Sequence, residues 1–291
     1  SFVGISATLH TARVQSRPPS TVDASLPAAL RWSPRQVPGT EPSCRELGRV
    51  GVLLLHGYTG SPWEVRPLLP IFDDLGWSHA LPVLRGHGTS VDDLEGTTWQ
   101  DWLQSGTEAA EWLADRCDRI HVVALSMGCL LAIKLLVRDL GVPWVSCVLL
   151  APALTLGTPT ERAIGLMQRA GWPRRLGKNP PKLARNLLPP AYWQIPVGQT
   201  AGMLELAVDV RSHVQSDVVP TLVLHGNLDR TIPMRRTRKF VHTALPHATH
   251  EVVVGAGHLL PRTRQAKRVF ARIKGFVLER EREAAPRDAT N

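Results

Sequence analysis

Disulfide and zinc chemistry have little to work with in this chain. Only four cysteines occur among 291 residues. They stand at Cys44, Cys117, Cys129 and Cys147, with no C-x-x-C pair and no histidine at zinc-ligand spacing. A disulfide scaffold is therefore excluded as the organising principle, and reduced, buried thiols are expected, because three of the four lie in or beside apolar segments. No cluster of His, Asp or Glu at ligand spacing appears, so no metal and no cofactor is expected. Long apolar runs are also missing. Without a stretch of about 18 apolar residues there is no candidate for membrane insertion, and the N-terminus shows no charged region followed by an apolar one and a cleavage site. The expectation is a cytoplasmic protein, with secretion left open because the chain starts at Ser1.

What is present suits one globular domain. Apolar residues make up 43% and charged residues 20% of the chain, enough for one domain with a sizeable core. The formal net charge is +9, which invites a nucleic-acid reading. The positive charge is scattered, however, with one dense patch at Arg230 to Lys239 and mixed signs over Glu279 to Arg287. Solvated faces explain such runs, and no nucleic-acid partner is expected.

Residues 1–48 are rich in Pro, Ser, Arg and Thr and carry little periodicity, which predicts an extended arm with at most an edge strand. From Arg49 strand and helix signals alternate: strands over 50–55, 78–81, 120–125 and 145–151, with helices near 63–75, 99–116 and 127–140. Alternation resumes at a helix over 201–214, then strand 221–225, helix 234–244, strand 250–254 and helix 263–280. This pattern implies an α/β fold, a mostly parallel sheet flanked by helices. Between Pro152 and Thr200 it stops, and the segment turns rich in Arg, Pro and Trp. The organisation expected is an arm (1–48), a core (49–152 and 201–291) and a cap insertion (153–200), whose Leu154, Leu156, Ile164, Met167 and Trp193 are candidate apolar walls of a pocket.

Ser126 lies in Ala124-Leu125-Ser126-Met127-Gly128, between the apolar runs Ile120 to Leu125 and Cys129 to Val137. A serine at a strand-to-helix junction with small residues two before and two after is a nucleophile elbow, since the tight bend brings neighbouring chain close. Ala124 departs from the usual glycine, but its methyl is small. Two partners follow in the order nucleophile, acid, histidine: Asp229, after the β-rich run Thr221 to His225, and His258, in a glycine-rich loop after Glu251 to Val254. Serine needs a base to take its proton, and the base needs a carboxylate to fix its tautomer. Backbone N–H groups of Tyr58 and Met127 are the candidate oxyanion donors. Taken singly, Ser126 reads as a helix N-cap and Asp229 as a turn residue; their order and spacing together favour the triad. Asp101, three residues after Thr98, reads as part of a capping box rather than as a catalytic acid. His56 and His225, each before a glycine at a strand end, read as rings bonded to their loops, and His87 as a residue near the pocket.

The segments His56-Gly57-Tyr58-Thr59-Gly60, Leu84-Arg85-Gly86-His87-Gly88, Thr97 to Trp102, Leu125 to Gly128, His225 to Asp229 and Gly257-His258 together resemble the bacterial carboxylesterase and monoacylglycerol lipase family of α/β-hydrolases. The resemblance runs from about Arg49 to Leu278 and implies an α/β-hydrolase fold with a small cap. It implies Ser126, Asp229 and His258 as the triad and Tyr58 and Met127 as the oxyanion hole. That family more often has Phe at the position of Tyr58, and often a second glycine where this chain has Cys129; neither change removes a backbone N–H. The expected function is a serine carboxylesterase acting on short- to medium-chain acyl esters, with a small-molecule ester as its partner. A monoacylglycerol lipase is the alternative within the same chemistry, and a non-catalytic hydrolase-fold binding protein the alternative from another class. The oligomeric state is not encoded in any of these motifs.

Overall fold

A computed structural model of the chain describes residues 25–178, 190–213 and 219–285. Seven strands form the main sheet: β1 (Ser43–Arg45), β2 (Val50–Leu55), β3 (Ser78–Leu81), β4 (Arg119–Leu125), β5 (Trp144–Leu150), β8 (Thr221–Gly226) and β9 (Thr249–Val253). Their order is β1-β3-β2-β4-β5-β8-β9. All neighbours are parallel except β1, which pairs antiparallel with β3 through Ser43↔Leu81. The edge strand foreseen in the arm is therefore present. Residues 1–24 of the arm and 179–189 of the insertion lie outside the described residues.

The strands bury both faces, as their near-continuous apolar runs require. Leu53, Leu55, Val122, Ala124 and Leu149 point into one apolar layer, shared with α3 (Trp99–Ala114) and α4 (Met127–Leu136). Val52, Leu54, Val123, Leu125 and Leu150 point into the other, closed by α1 (Leu69–Asp73) and α8 (Ala266–Ala284). The register is thus held on two sides. A one-residue slip would exchange the two layers' side chains.

The helix expected over 63–75 is different in kind. It forms two single 3₁₀ turns, Pro62–Glu64 and Arg66–Leu68, before the five residues of α1. Pro62, Pro67 and Pro70 each remove a backbone donor, so no continuous α-helical ladder can run through the segment. A short helix, α2 (Val91–Glu95), escaped the sequence reading; Ser90 caps it by accepting from the Asp93 N–H.

The insertion contains α5 (Thr158–Ala170) and a two-stranded antiparallel hairpin of β6 (Arg175–Gly177) and β7 (Gln194–Pro196). β7 runs directly into α6 (Val197–His213). Ile164 of α5 packs on Val197 and Ala201 at the start of α6, whereas Met203, Leu206 and Val210 further along belong to the main core. One helix therefore joins insertion and core.

Candidate active site

The loops after β2, β4, β8 and β9 all leave the same edge of the sheet, because these strands are parallel. That edge is where an open α/β sheet can gather residues distant in sequence. Ser126, between β4 and α4, has φ 56° and ψ −116°. This is a left-handed conformation that costs a non-glycine residue on the order of 1–3 kcal/mol, and it lifts the side chain out of the turn. The turn is anchored by the Ser126 N–H, which donates to Leu150 O at 2.9 Å. Gly128 shows why small neighbours are needed: a Cβ there would stand 2.7 Å from the carbonyl oxygens of both Leu55 and His56. The Cys129 thiol, at the position where a second glycine is common, is fully buried and donates to Ala124 O at 3.2 Å. Burial pushes its pKa well above the ordinary thiol value, so it is no competing nucleophile.

The three residues picked from the sequence meet in space. His258 Nε2 lies 3.0 Å from Ser126 Oγ, and His258 Nδ1 lies 2.7 Å from Asp229 Oδ2. Donation from Nδ1–H to the carboxylate leaves Nε2 as the acceptor facing the serine hydroxyl, which is the tautomer a general base needs. Asp229 has no exposed side-chain surface. Its Oδ1 accepts the N–H groups of Thr231, at 2.7 Å, and Ile232, at 3.0 Å. Burial pushes this carboxyl up, but contacts from the His225 and His258 rings, the charge of His258 and the Ile232 N–H outweigh it and hold the group well below the usual carboxylate range. Asp229 therefore stays ionised at any working pH.

The N–H groups of Tyr58, in the loop after β2, and of Met127, next to Ser126 at the start of α4, are the candidate oxyanion donors. Neither has a backbone partner among the described hydrogen bonds outside regular elements, and Met127 is the first residue of α4, where the N–H has no partner within the helix. The orientation of the Tyr58 N–H is set by its own peptide. The carbonyl of Gly57 accepts from the His56 ring Nδ1–H at 3.0 Å and from the Gly60 N–H at 3.3 Å. In a trans peptide the following N–H points the opposite way. His56 is buried and its other nitrogen accepts from the Leu84 N–H at 3.2 Å, so this ring is a fixed loop support, as its place before a glycine suggested. Burial holds it neutral.

Other sequence candidates separate cleanly. Asp101 forms the foreseen capping box, with the Thr98 N–H donating to Asp101 Oδ2 at 2.9 Å and the Asp101 N–H to Thr98 Oγ1 at 3.4 Å. His87 is 2% exposed and packs its ring against His56, Tyr58, Trp102 and Tyr192; burial pushes its pKa down to about 4. Of the candidate wall residues, Leu154 is buried in the main core, Ile164 and Met167 belong to the α5–α6 contact, and Trp193 lines a separate cavity of about 330 Å³ beside Val37 and Tyr192.

One residue was missed and one misread: Glu64 was not singled out, and His225, expected to bond its own loop, faces Asp229 instead. His225, fully buried, places Nε2 3.2 Å from Asp229 Oδ2, close enough for electrostatic contact though outside hydrogen-bond geometry. Glu64, 8% exposed, accepts the Gly57 N–H at 2.8 Å within the loop that carries Tyr58. The H-x-x-x-D spacing of His225 to Asp229, and an acidic residue inside an otherwise apolar segment after Gly60, were the available signals. The insertion also reaches this loop. The Tyr192 N–H donates to Thr59 O at 2.9 Å, Ser61 Oγ to Pro190 O at 3.1 Å, and Lys178 Nζ to Thr59 Oγ1 at 3.2 Å.

Residues 52–272 match the alpha/beta hydrolase family. A thermostable monoacylglycerol lipase of Bacillus sp. strain H-257 is 32% identical over 204 residues, covering 67% of this chain and 76% of the lipase. A carboxylesterase of Bacillus subtilis strain 168 is 26% identical over 187 residues, covering 64% of this chain and 74% of the esterase. Among solved structures, one from the metagenome-derived lipolytic enzymes LipS and LipT superposes with a TM-score of 0.73 at 24% identity, covering 84% of this chain and 99% of that one. Family match, lipase relative and sheet order converge: the chain belongs to the alpha/beta hydrolase family and has the α/β-hydrolase fold.

Proposed function

We propose that this protein is a serine carboxylic ester hydrolase whose triad is Ser126, His258 and Asp229 and whose oxyanion donors are the Tyr58 and Met127 N–H groups. The observation that carries the reading is the continuous relay from Asp229 through His258 to Ser126, at 2.7 and 3.0 Å, at a strained elbow. Ser126 Oγ attacks the ester carbonyl while His258 Nε2 takes its proton; the carbonyl oxygen gains charge facing the two N–H donors. His258 then gives the proton to the departing alcohol, leaving an acyl-enzyme. Water, deprotonated by the same imidazole, releases the acid.

The substrate class we assign is short- to medium-chain acyl esters of small alcohols. Initial rates on p-nitrophenyl esters from acetate to palmitate test it. A maximum at short or medium chains, falling on the order of 10⁵-fold in Ser126→Ala, is expected; hydrolysis retained by that variant overturns the reading. A monoacylglycerol lipase is the second reading, favoured by the name of the Bacillus relative, and faster turnover of long-chain monoacylglycerols than of p-nitrophenyl butyrate would select it. A protein that only binds ligand would leave Ser126 unlabelled by a fluorophosphonate probe.

The division into arm, core and cap belongs to the same proposal, supported by α5 and the β6–β7 hairpin standing between β5 and α6. So does a cytoplasmic location, supported by four cysteines left as thiols. No described helix is long and apolar enough to cross a membrane.

A further inference from the structure

The loop that carries Tyr58 is built around a buried acid. Glu64 sits on the 3₁₀ turn Pro62–Glu64 and folds its side chain back under Gly57 and Gly60. A Cβ on Gly60 would stand 2.2 Å from the Glu64 carboxyl carbon, and one on Gly57 would stand 3.1 Å from Glu64 Oε2 and 3.3 Å from Ser126 Cβ. Both glycines of this loop therefore leave room for the carboxylate. It is next to the nucleophile, and it accepts the Gly57 N–H at 2.8 Å.

A lone carboxylate at 8% exposure costs several kcal/mol of desolvation unless something offsets it. A loop needing only shape would be served by an apolar residue. Two cations, Arg262 from the loop after β9 and Lys178 just past β6, lie within electrostatic reach of Glu64. Arg262 also stacks its guanidinium 3.3 Å over the Trp63 ring and donates to Trp63 O at 2.9 Å, which ties the histidine loop to the Glu64 turn. Burial raises the Glu64 pKa, and the Gly57 N–H and these two cations oppose that rise.

We propose that Glu64 is a positioning residue for the hydrolase: its carboxylate pins the Gly57 N–H, and through that residue orients the next peptide, which carries the Tyr58 N–H. The two ends of Gly57, in successive peptide units, are then held separately. His56 and Gly60 hold the Gly57 carbonyl; Glu64 holds the Gly57 nitrogen. An oxyanion donor acts only if it is aimed before charge develops, so a relaxed loop loses transition-state binding and not ground-state binding.

The inference rests on the proposed serine mechanism, and two variants separate the hydrogen bond to Gly57 from the charge. Glu64→Asp keeps the charge and withdraws the oxygen from Gly57; Glu64→Gln keeps an acceptor and removes the charge. Each is assayed on p-nitrophenyl butyrate with kcat, KM and the Ki of n-butylboronic acid, which forms a tetrahedral adduct on serine. Fluorophosphonate titration counts the competent sites, so a partly folded variant is corrected for. For Glu64→Asp, kcat should fall about tenfold or more and Ki weaken in parallel, with KM within about twofold. Glu64→Gln, which keeps an acceptor for the Gly57 N–H, should retain most of kcat. Wild-type kcat and Ki in Glu64→Asp, or a loss in Glu64→Gln as large as in Glu64→Asp, overturns the proposal. Activity retained by Ser126→Ala would instead overturn the mechanism beneath it.

Discussion

Backbone strain at Ser126 is held by its neighbours, and Gly128 is the one with least room to change. Gly128→Ala would press a methyl between the Leu55 and His56 carbonyls at 2.7 Å. Overpacking of this kind costs about 1–3 kcal/mol, and the shift would pass into both the elbow and the Tyr58 loop. Urea unfolding should show that loss, with kcat lowered even in the folded fraction. Asp229→Asn leaves the geometry but offers the wrong hydrogen-bonding partner to His258 Nδ1, so kcat should fall about 10³–10⁴-fold. Stability carries its own acid dependence. His87 has a folded pKa of about 4 against an ordinary 6.5, so the unfolded chain binds a proton there that the folded chain refuses. Its contribution is full above 6.5 and is lost as pH falls toward about 4. Asp229, depressed below its ordinary 3.8, gives stability that is present above that value and lost only at lower pH. Unfolding free energies measured at pH 7, 5.5 and 4.5 should decline in the wild type and decline less in His87→Phe, which keeps the ring stacking without the titration.

The start of α3 was legible because its capping box is local chemistry, whereas the Ser90 cap of α2 was passed over. Thr98→Ala removes the N-cap of α3 and should cost about 1 kcal/mol in urea unfolding without changing KM. The segment after Gly60 was read as one helix because its apolar spacing is helical; three prolines impose a limit that periodicity does not register. The hairpin β6–β7 was illegible for another reason. Its strands are three residues each, too short for alternation to show, and it docks by ion pairs between distant segments. Arg175 donates to Glu95 Oε1 at 2.6 Å and also pairs with Asp92, so α2 is the hairpin's landing site. Both acids lie far from Arg175 in sequence. Glu95→Ala should therefore speed amide exchange in β6 and β7 while leaving β4 and β5 protected, a difference that hydrogen exchange with mass spectrometry can read.

The parallel character of the sheet and the meeting of Ser126, Asp229 and His258 could be anticipated because parallel strands force their following loops onto one edge. Glu64, and the approach of His225 to Asp229, could not. Their roles come from burial against groups 7 and 4 residues away, after the chain has turned back on itself, and a charged residue beside glycines looks like ordinary loop surface until the packing is seen. The same holds for the contacts of the insertion. Tyr192, Pro190 and Lys178 grip Thr59 and Ser61 on either side of the loop that presents the Tyr58 N–H, and Tyr58 Oη in turn donates to Pro196 O at 3.1 Å, at the end of β7. Exchanging this insertion for that of a relative would thus do more than reshape a pocket. The transplanted segment would have to reproduce the grip on Thr59 and Ser61, and libraries that vary it for new substrate range should recover variants in which selectivity and turnover change together.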